Sequence, residues 1–195
     1  MDLLKQVAFL LRITHSRSIA RRYFVVNGFD GALTMLGIIL GFLVSTPTEL
    51  SVVISACMGA TIALAVSGVS SAYVSEMAEQ RNQLAKLEAA MVADLQESAH
   101  HKAVRLVPIL IALVNGAAPL SIALIILTPL WLAINGIITP IPPLHSAILI
   151  ALFIIFLLGI YLGRISGISW LKSGIQTLLV ALLTIILIYL FAGVY

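Results

Sequence analysis

Residues 106–163 read LVPILIALVNGAAPLSIALIILTPLWLAINGIITPIPPLHSAILIALFIIFLLGIYLG, from Leu106 to Gly163, without a single Asp, Glu, Lys or Arg. A helix crosses the hydrocarbon of a bilayer with about 20 apolar residues, so this stretch must hold two crossings. Pro129, Asn135, Gly136, Pro140, Pro142 and Pro143 mark the loop between them. Leu50–Ser75 and Ser173–Tyr195 are equally free of charge, and Phe24–Val44 carries only Asp30. Five spans follow, at roughly 24–44, 50–74, 105–128, 145–163 and 172–193. The runs are continuously apolar rather than alternating, which indicates helices and not barrel strands. The expected fold is an all-α membrane protein of five transmembrane helices.

Composition excludes a water-soluble domain. The chain is 61% hydrophobic and only 10% charged, with a mean hydropathy of +1.14, against about 25% charged residues in soluble proteins. The charges are also sorted. With five spans and a cytoplasmic N-terminus, all 11 Lys and Arg residues, from Lys5 to Lys172, fall on the cytoplasmic side, as the positive-inside rule demands. The net charge of +3 is a consequence of this topology and calls for no nucleic acid. Cys57 is the lone cysteine and lies within the second span, so no internal disulfide forms. No cleavable signal peptide is expected. Residues 1–22 carry Leu3, Leu4, Val7, Leu10 and Leu11 among basic residues, the pattern of an amphipathic segment on the inner leaflet. A frayed basic tail is the alternative.

Residues 23–74 hold the first two spans, 75–104 a cytoplasmic helical segment and 105–195 the last three. The second span carries small residues every four positions, Gly59, Ala63, Ser67 and Ser71, which suits close helix packing. From Ser75 to Ala103 there is no Gly or Pro, so the second helix is expected to run on into the cytoplasm. Asn115-Gly-Ala-Ala-Pro119 predicts a kink that frees backbone carbonyls inside the third span. Trp131, Trp170, Tyr23, Tyr161 and Tyr195 fit interfacial aromatic belts.

Two places could carry chemistry. The first is Asp30, the one ionisable residue at membrane depth, where a charge costs about 2.5–3.5 kcal/mol on insertion scales. Asn27 and Thr34 share its helical face, and carboxylate, amide and hydroxyl oxygens suit hard or borderline divalent cations. A buried structural acid hydrogen-bonded to Asn115, or to backbone freed by Pro119, is the competing reading. The second place is the cytoplasmic segment. Glu76 and Glu79 are three apart, and Asp94, Glu97 and His101 share another face, with His100, Met77 and Met91 nearby. Such a set could bind ferrous iron, manganese or zinc, or be an ordinary solvated helix with an i,i+4 pair between Glu97 and His101. His145 and His15 read as interface and surface residues. No Ser/His/Asp set, HExxH motif or phosphate-binding glycine loop is present, so no enzyme is expected.

The first span, Val25-Val-Asn-Gly-Phe-Asp30-Gly31-Ala-Leu-Thr-Met-Leu-Gly37-Ile-Ile-Leu-Gly41, resembles the Asn/Asp-Gly-Leu opening helix of the vacuolar iron transporter family. Gly116-Ala-Ala-Pro119-Leu, Leu158–Gly167 and the helix at Leu171–Gly193 also resemble that family, in the same order. The resemblance implies a C2 homodimer that moves ferrous iron or manganese out of the cytosol, usually by proton antiport. It puts the transport acid at Asp30 and metal-gathering acids at Glu76, Glu79, Glu88 and Glu97. Ala60 or Thr61 stands where the family has a membrane-embedded glutamate, Ser67-Gly68 stand near the position of its methionine, and the cytoplasmic segment is short.

The function expected from these residues is divalent metal transport. Asp30, Glu76, Glu79, Glu97 and His101 would be the metal ligands, and Asn27, Thr34 and Asn115 would line the path. Fe²⁺ or Mn²⁺ would be cargo, with no tightly bound cofactor. The expected partners are the lipid bilayer, a second copy and divalent metal ions, and the expected location a prokaryotic-type cell membrane. A non-transporting membrane scaffold of the same fold, or a transporter of another solute, are the alternatives.

Overall fold

The computed structural model describes residues 16–45, 49–91, 99–138 and 140–192, with the side chains of residues 17, 99–101 and 192 left aside. Among the described residues the secondary structure is entirely helical. The elements are α1 (Ser16–Val44), α2 (Leu50–Met91), α3 (Ala99–Ile134), α4 (Pro143–Ser166) and α5 (Trp170–Ala192). Each is long and apolar enough to cross a membrane. The protein is therefore read as a multi-pass membrane protein, and the many exposed Leu, Ile, Val and Phe side chains of α4 and α5 are a surface made for lipid rather than water.

The helices are longer than the spans they contain. At 1.5 Å per residue the 42 residues of α2 extend about 63 Å, twice the roughly 30 Å hydrocarbon thickness. Its lower half therefore projects beyond the apolar stretch at 50–74, as the absence of helix breakers leads one to expect. α1 begins at Ser16, so residues 16–22 continue the first span's helix. The amphipathic segment expected over residues 1–22 otherwise lies outside the described residues. Pro129 does not sit in the outer loop. It is buried within α3, which runs on to Ile134, because its missing N–H costs one bond that neighbouring helices tolerate at membrane depth.

Helix ends follow glycine. Gly136 adopts φ 79° and Gly167 φ 69°. At the end of α3 the Gly136 N–H reaches the Ala133 carbonyl at 3.0 Å and the Ile137 N–H the Leu132 carbonyl at 3.0 Å, a Schellman closure. Ile168 N–H to the Gly163 carbonyl at 3.1 Å closes α4 in the same way.

The chain divides into two compact units, residues 1–24 with 65–117, and residues 25–64 with 118–195. In the second unit all five helices contribute to one apolar core, including Met35, Leu36 and Ile39 of α1, Val53 and Cys57 of α2, Ile126 and Leu130 of α3, Ile155 of α4 and Ala181 of α5. Here α1 presses glycine against proline: a Cβ on Gly31 would come within 2.9 Å of the Pro119 Cα. Gly159 and Gly163 of α4 face Thr177 and Ser173 of α5, and Thr177 Oγ donates to the Ile155 carbonyl across that pair at 3.1 Å. In the first unit Ala103, Val107 and Ile111 of α3 pack on Ile19, Ala20 and Tyr23 of α1.

Candidate functional site

Along α1, Tyr23, Asn27, Asp30 and Thr34 recur at helical spacing and form one polar face on the otherwise apolar stretch from Tyr23 to Val44. Asp30 is exposed, and Asn27 and Thr34 are half-buried. Asp30 stands at the edge of an open cavity of about 160 Å³ walled by Val25, Val26, Phe29, Leu158, Leu162 and Thr177. Apart from Thr177 and Asp30 those walls offer no polar side chain, and the Thr177 hydroxyl is already committed to the Ile155 and Gly174 carbonyls.

Glu76 lies beyond the apolar stretch of α2 and is buried at 5% exposure, with Gln80 one turn on at 3%. The Tyr23 hydroxyl donates to its carboxylate, and Arg22 lies within electrostatic reach. The Arg22 guanidinium stands 5.9 Å from the centre of the Tyr23 ring. Burial pushes the Glu76 carboxyl above the usual carboxylate range, because loss of solvent penalises its charged form. The Tyr23 hydrogen bond and the Arg22 charge work against that rise without cancelling it, and the Glu79 charge adds to it. Among the described residues Glu76 Oε2 and Gln80 Nε2 find no hydrogen-bond partner.

Glu79 does not share this environment. It is exposed, and its Oε1 accepts from Gln83 Nε2 at 2.9 Å. Glu97 and Asp94 lie outside the described residues, and of His101 and His100 only the α3 backbone is described. Among the described residues no three of His, Cys, Asp and Glu gather closely enough to hold a metal. Asp30 belongs to the second unit and Glu76 to the first.

Asn115 is buried at 1% exposure in α3. Its Nδ2 donates to the Gly68 carbonyl of α2 at 2.8 Å, so its amide is committed to backbone and not to a carboxylate. Its Oδ1 has no partner among the described residues. Thr61, which with Ala60 is one of the two positions where the resemblance would ask for a glutamate, is fully buried. It donates to the Cys57 carbonyl at 2.7 Å and lies 3.6 Å from Met35 Sδ.

Three residues escaped sequence reasoning. Tyr23 was expected only as an interfacial aromatic, Gln80 carried no signal apart from its i+4 spacing from Glu76, and Gly68 acts through its carbonyl, which no sequence pattern marks.

No family model matches the chain, and no solved structure matches it. A protein described as uncharacterized, MJ0645 of Methanocaldococcus jannaschii, is 28% identical over 172 residues, covering 87% of this chain and 86% of that protein. The likeness runs nearly end to end and carries no activity with it.

Proposed function

We propose that the protein is a divalent metal transporter that exports ferrous iron or manganese from the cytosol, working as a C2 homodimer. The observation that carries this reading is the exposure of Asp30. A carboxylate on a membrane-crossing helix needs water, a cation or protein around it, and here the described residues leave it exposed. A second copy meeting along α1 and α2 would cover it, and would bring two carboxylates to a shared axis. The small residues Gly59, Ala63, Ser67 and Ser71 are likewise exposed on α2, and nothing stands within 4 Å of a Cβ added at Gly59 or Gly41. Such faces let helix backbones approach closely. Glu76, destabilised as an anion by burial, is the group at the end of the apolar stretch that gains most from an arriving cation. The resemblance of α1 to the opening helix of vacuolar iron transporters supports the same reading.

The test is metal flux. Liposomes containing the pure protein and an internal metal-sensitive dye should show Mn²⁺ or Fe²⁺ entry well above that of empty liposomes. The projecting half of α2, whose Glu79, Arg81 and Lys86 are exposed, favours one other reading, a membrane scaffold that docks a partner there. Absence of flux for both metals would transfer the conclusion to that scaffold.

A further inference from the structure

The cavity beside Asp30 opens between α1, α4 and α5, and every residue of its lining belongs to the second compact unit. Val25, Val26, Phe29, Leu158 and Leu162 make its walls apolar, and no basic side chain stands among them. The Thr177 hydroxyl donates to the Ile155 and Gly174 carbonyls, so it has no proton left for a carboxylate. Asp30 therefore brings a negative charge to an apolar lining that offers it neither a donor nor a counter-charge.

Size and depth narrow the choice of occupant. The cavity holds about 160 Å³, close to the roughly 150 Å³ of an apolar cavity that takes up benzene. Asp30 lies about 9 Å along α1 from Phe24, where the apolar run begins. That places it within one leaflet of a hydrocarbon layer about 30 Å thick, open to molecules dissolved in the lipid. A lipid chain would match the walls and leave the carboxylate unmatched. An organic cation matches both.

We infer that this cavity binds a lipophilic ammonium ion, an amine bearing one benzene-sized apolar group, with that group against Val25, Phe29 and Leu158 and the ammonium paired to the Asp30 carboxylate. The inference goes beyond the transport reading and does not rest on it, since a metal ion and an ammonium are alternative ways of neutralising one carboxylate. The ammonium donates hydrogen bonds to the carboxylate where solvent is scarce, and charge-assisted bonds are strongest there. The apolar group displaces lipid chains that are as apolar as the walls, so it gains little by itself. Charge sets the selectivity.

Binding of radiolabelled phenethylammonium and of its neutral counterpart, phenethyl alcohol, to the pure protein in nonionic detergent tests this without metal. The ammonium should bind about tenfold more tightly than the alcohol, and Asp30→Asn should bring the two within about twofold of each other. Equal affinities in the native protein overturn the inference and leave a groove that takes any apolar group as it takes lipid. Val26→Trp adds bulk at a wall position that is half exposed, and should weaken the ammonium by about fivefold or more. Undiminished binding in that variant places the ligand elsewhere and rejects the assignment. Should Asp30→Asn fail to fold, the native comparison and Val26→Trp decide between these outcomes. A protein that moves Mn²⁺ but binds no ammonium keeps the transport reading and loses this inference, and one that binds the ammonium but moves no metal does the reverse.

Discussion

At Asp30 one ionisable proton separates two roles. Asn is nearly isosteric with Asp and cannot ionise, so Asp30→Asn keeps the shape of α1 and removes the charge. As a transport ligand the carboxylate is indispensable, and the variant should fold with native yield yet move no Mn²⁺ in liposomes. Its thermal stability should hold or rise, because a charge exposed on a membrane helix is costly. Undiminished flux would remove Asp30 from the mechanism. Glu76 makes a different forecast, through pH. Its pKa is raised in the folded state, so between the ordinary carboxylate value near 4.3 and that raised value the folded protein binds more protons than the unfolded one. Stability therefore falls as pH climbs through this window, and is spared below it. Glu76→Gln, which cannot ionise and still accepts from Tyr23, should raise the Tm at neutral pH by a few degrees and give no gain near pH 4. Equal gain at both pH values would show that burial of the charge is not the cause.

Glycine positions decide how the helices meet, and they divide into two kinds. A Cβ on Gly116 would meet the Ala65 carbonyl at 2.7 Å, where the obstacle is backbone and unable to swing aside. Gly116→Ala should therefore destabilise the protein by about 1–3 kcal/mol, read as a lowered Tm in detergent. Gly41 has open space around it, so Gly41→Leu should leave the fold of the chain unchanged and weaken only the association of two copies, as light scattering would show. A monomeric native protein would dispose of the shared-axis arrangement altogether. Among the other elements, Gly136 was legible as an outer-loop residue, whereas the closure of α4 at Gly167 was not read from the sequence. Pro129 misled, because proline reads as a loop residue in water and is accommodated inside a membrane helix.

For the molecule as a whole the strongest constraint is charge placement. With five spans all 11 basic residues fall on one side of the membrane, and the positive-inside rule predicts that this side, with the N-terminus, is cytoplasmic and that the C-terminus is not. A cysteine-containing tag placed after Tyr195 should then react with a membrane-impermeant thiol reagent from outside intact cells. Reactivity from the cytoplasmic side alone would rule out five spans. The near end-to-end likeness to MJ0645 makes that protein a second subject for the same labelling, with the same side expected.

The five apolar helices among the described residues and the unbroken run of α2 past Ser75 to Met91 were legible in the sequence, because each depends on local composition: uncharged runs of sufficient length, and the absence of Gly or Pro after Ser75. The polar face of α1 was legible for the same reason, since helical periodicity is a property of one element. What only the tertiary structure decided is which polar atoms are left without partners. Glu76 and Glu79 look equivalent in sequence, yet one is buried against Tyr23 and the other exposed and bonded to Gln83. Asn115 finds its partner in the main chain of Gly68, and a backbone carbonyl has no identity in the sequence. Burial and hydrogen bonding are pairwise properties of elements far apart along the chain, so the different surroundings of Glu76 and Glu79 and the orphaned oxygen of Asn115 emerge only once the helices pack.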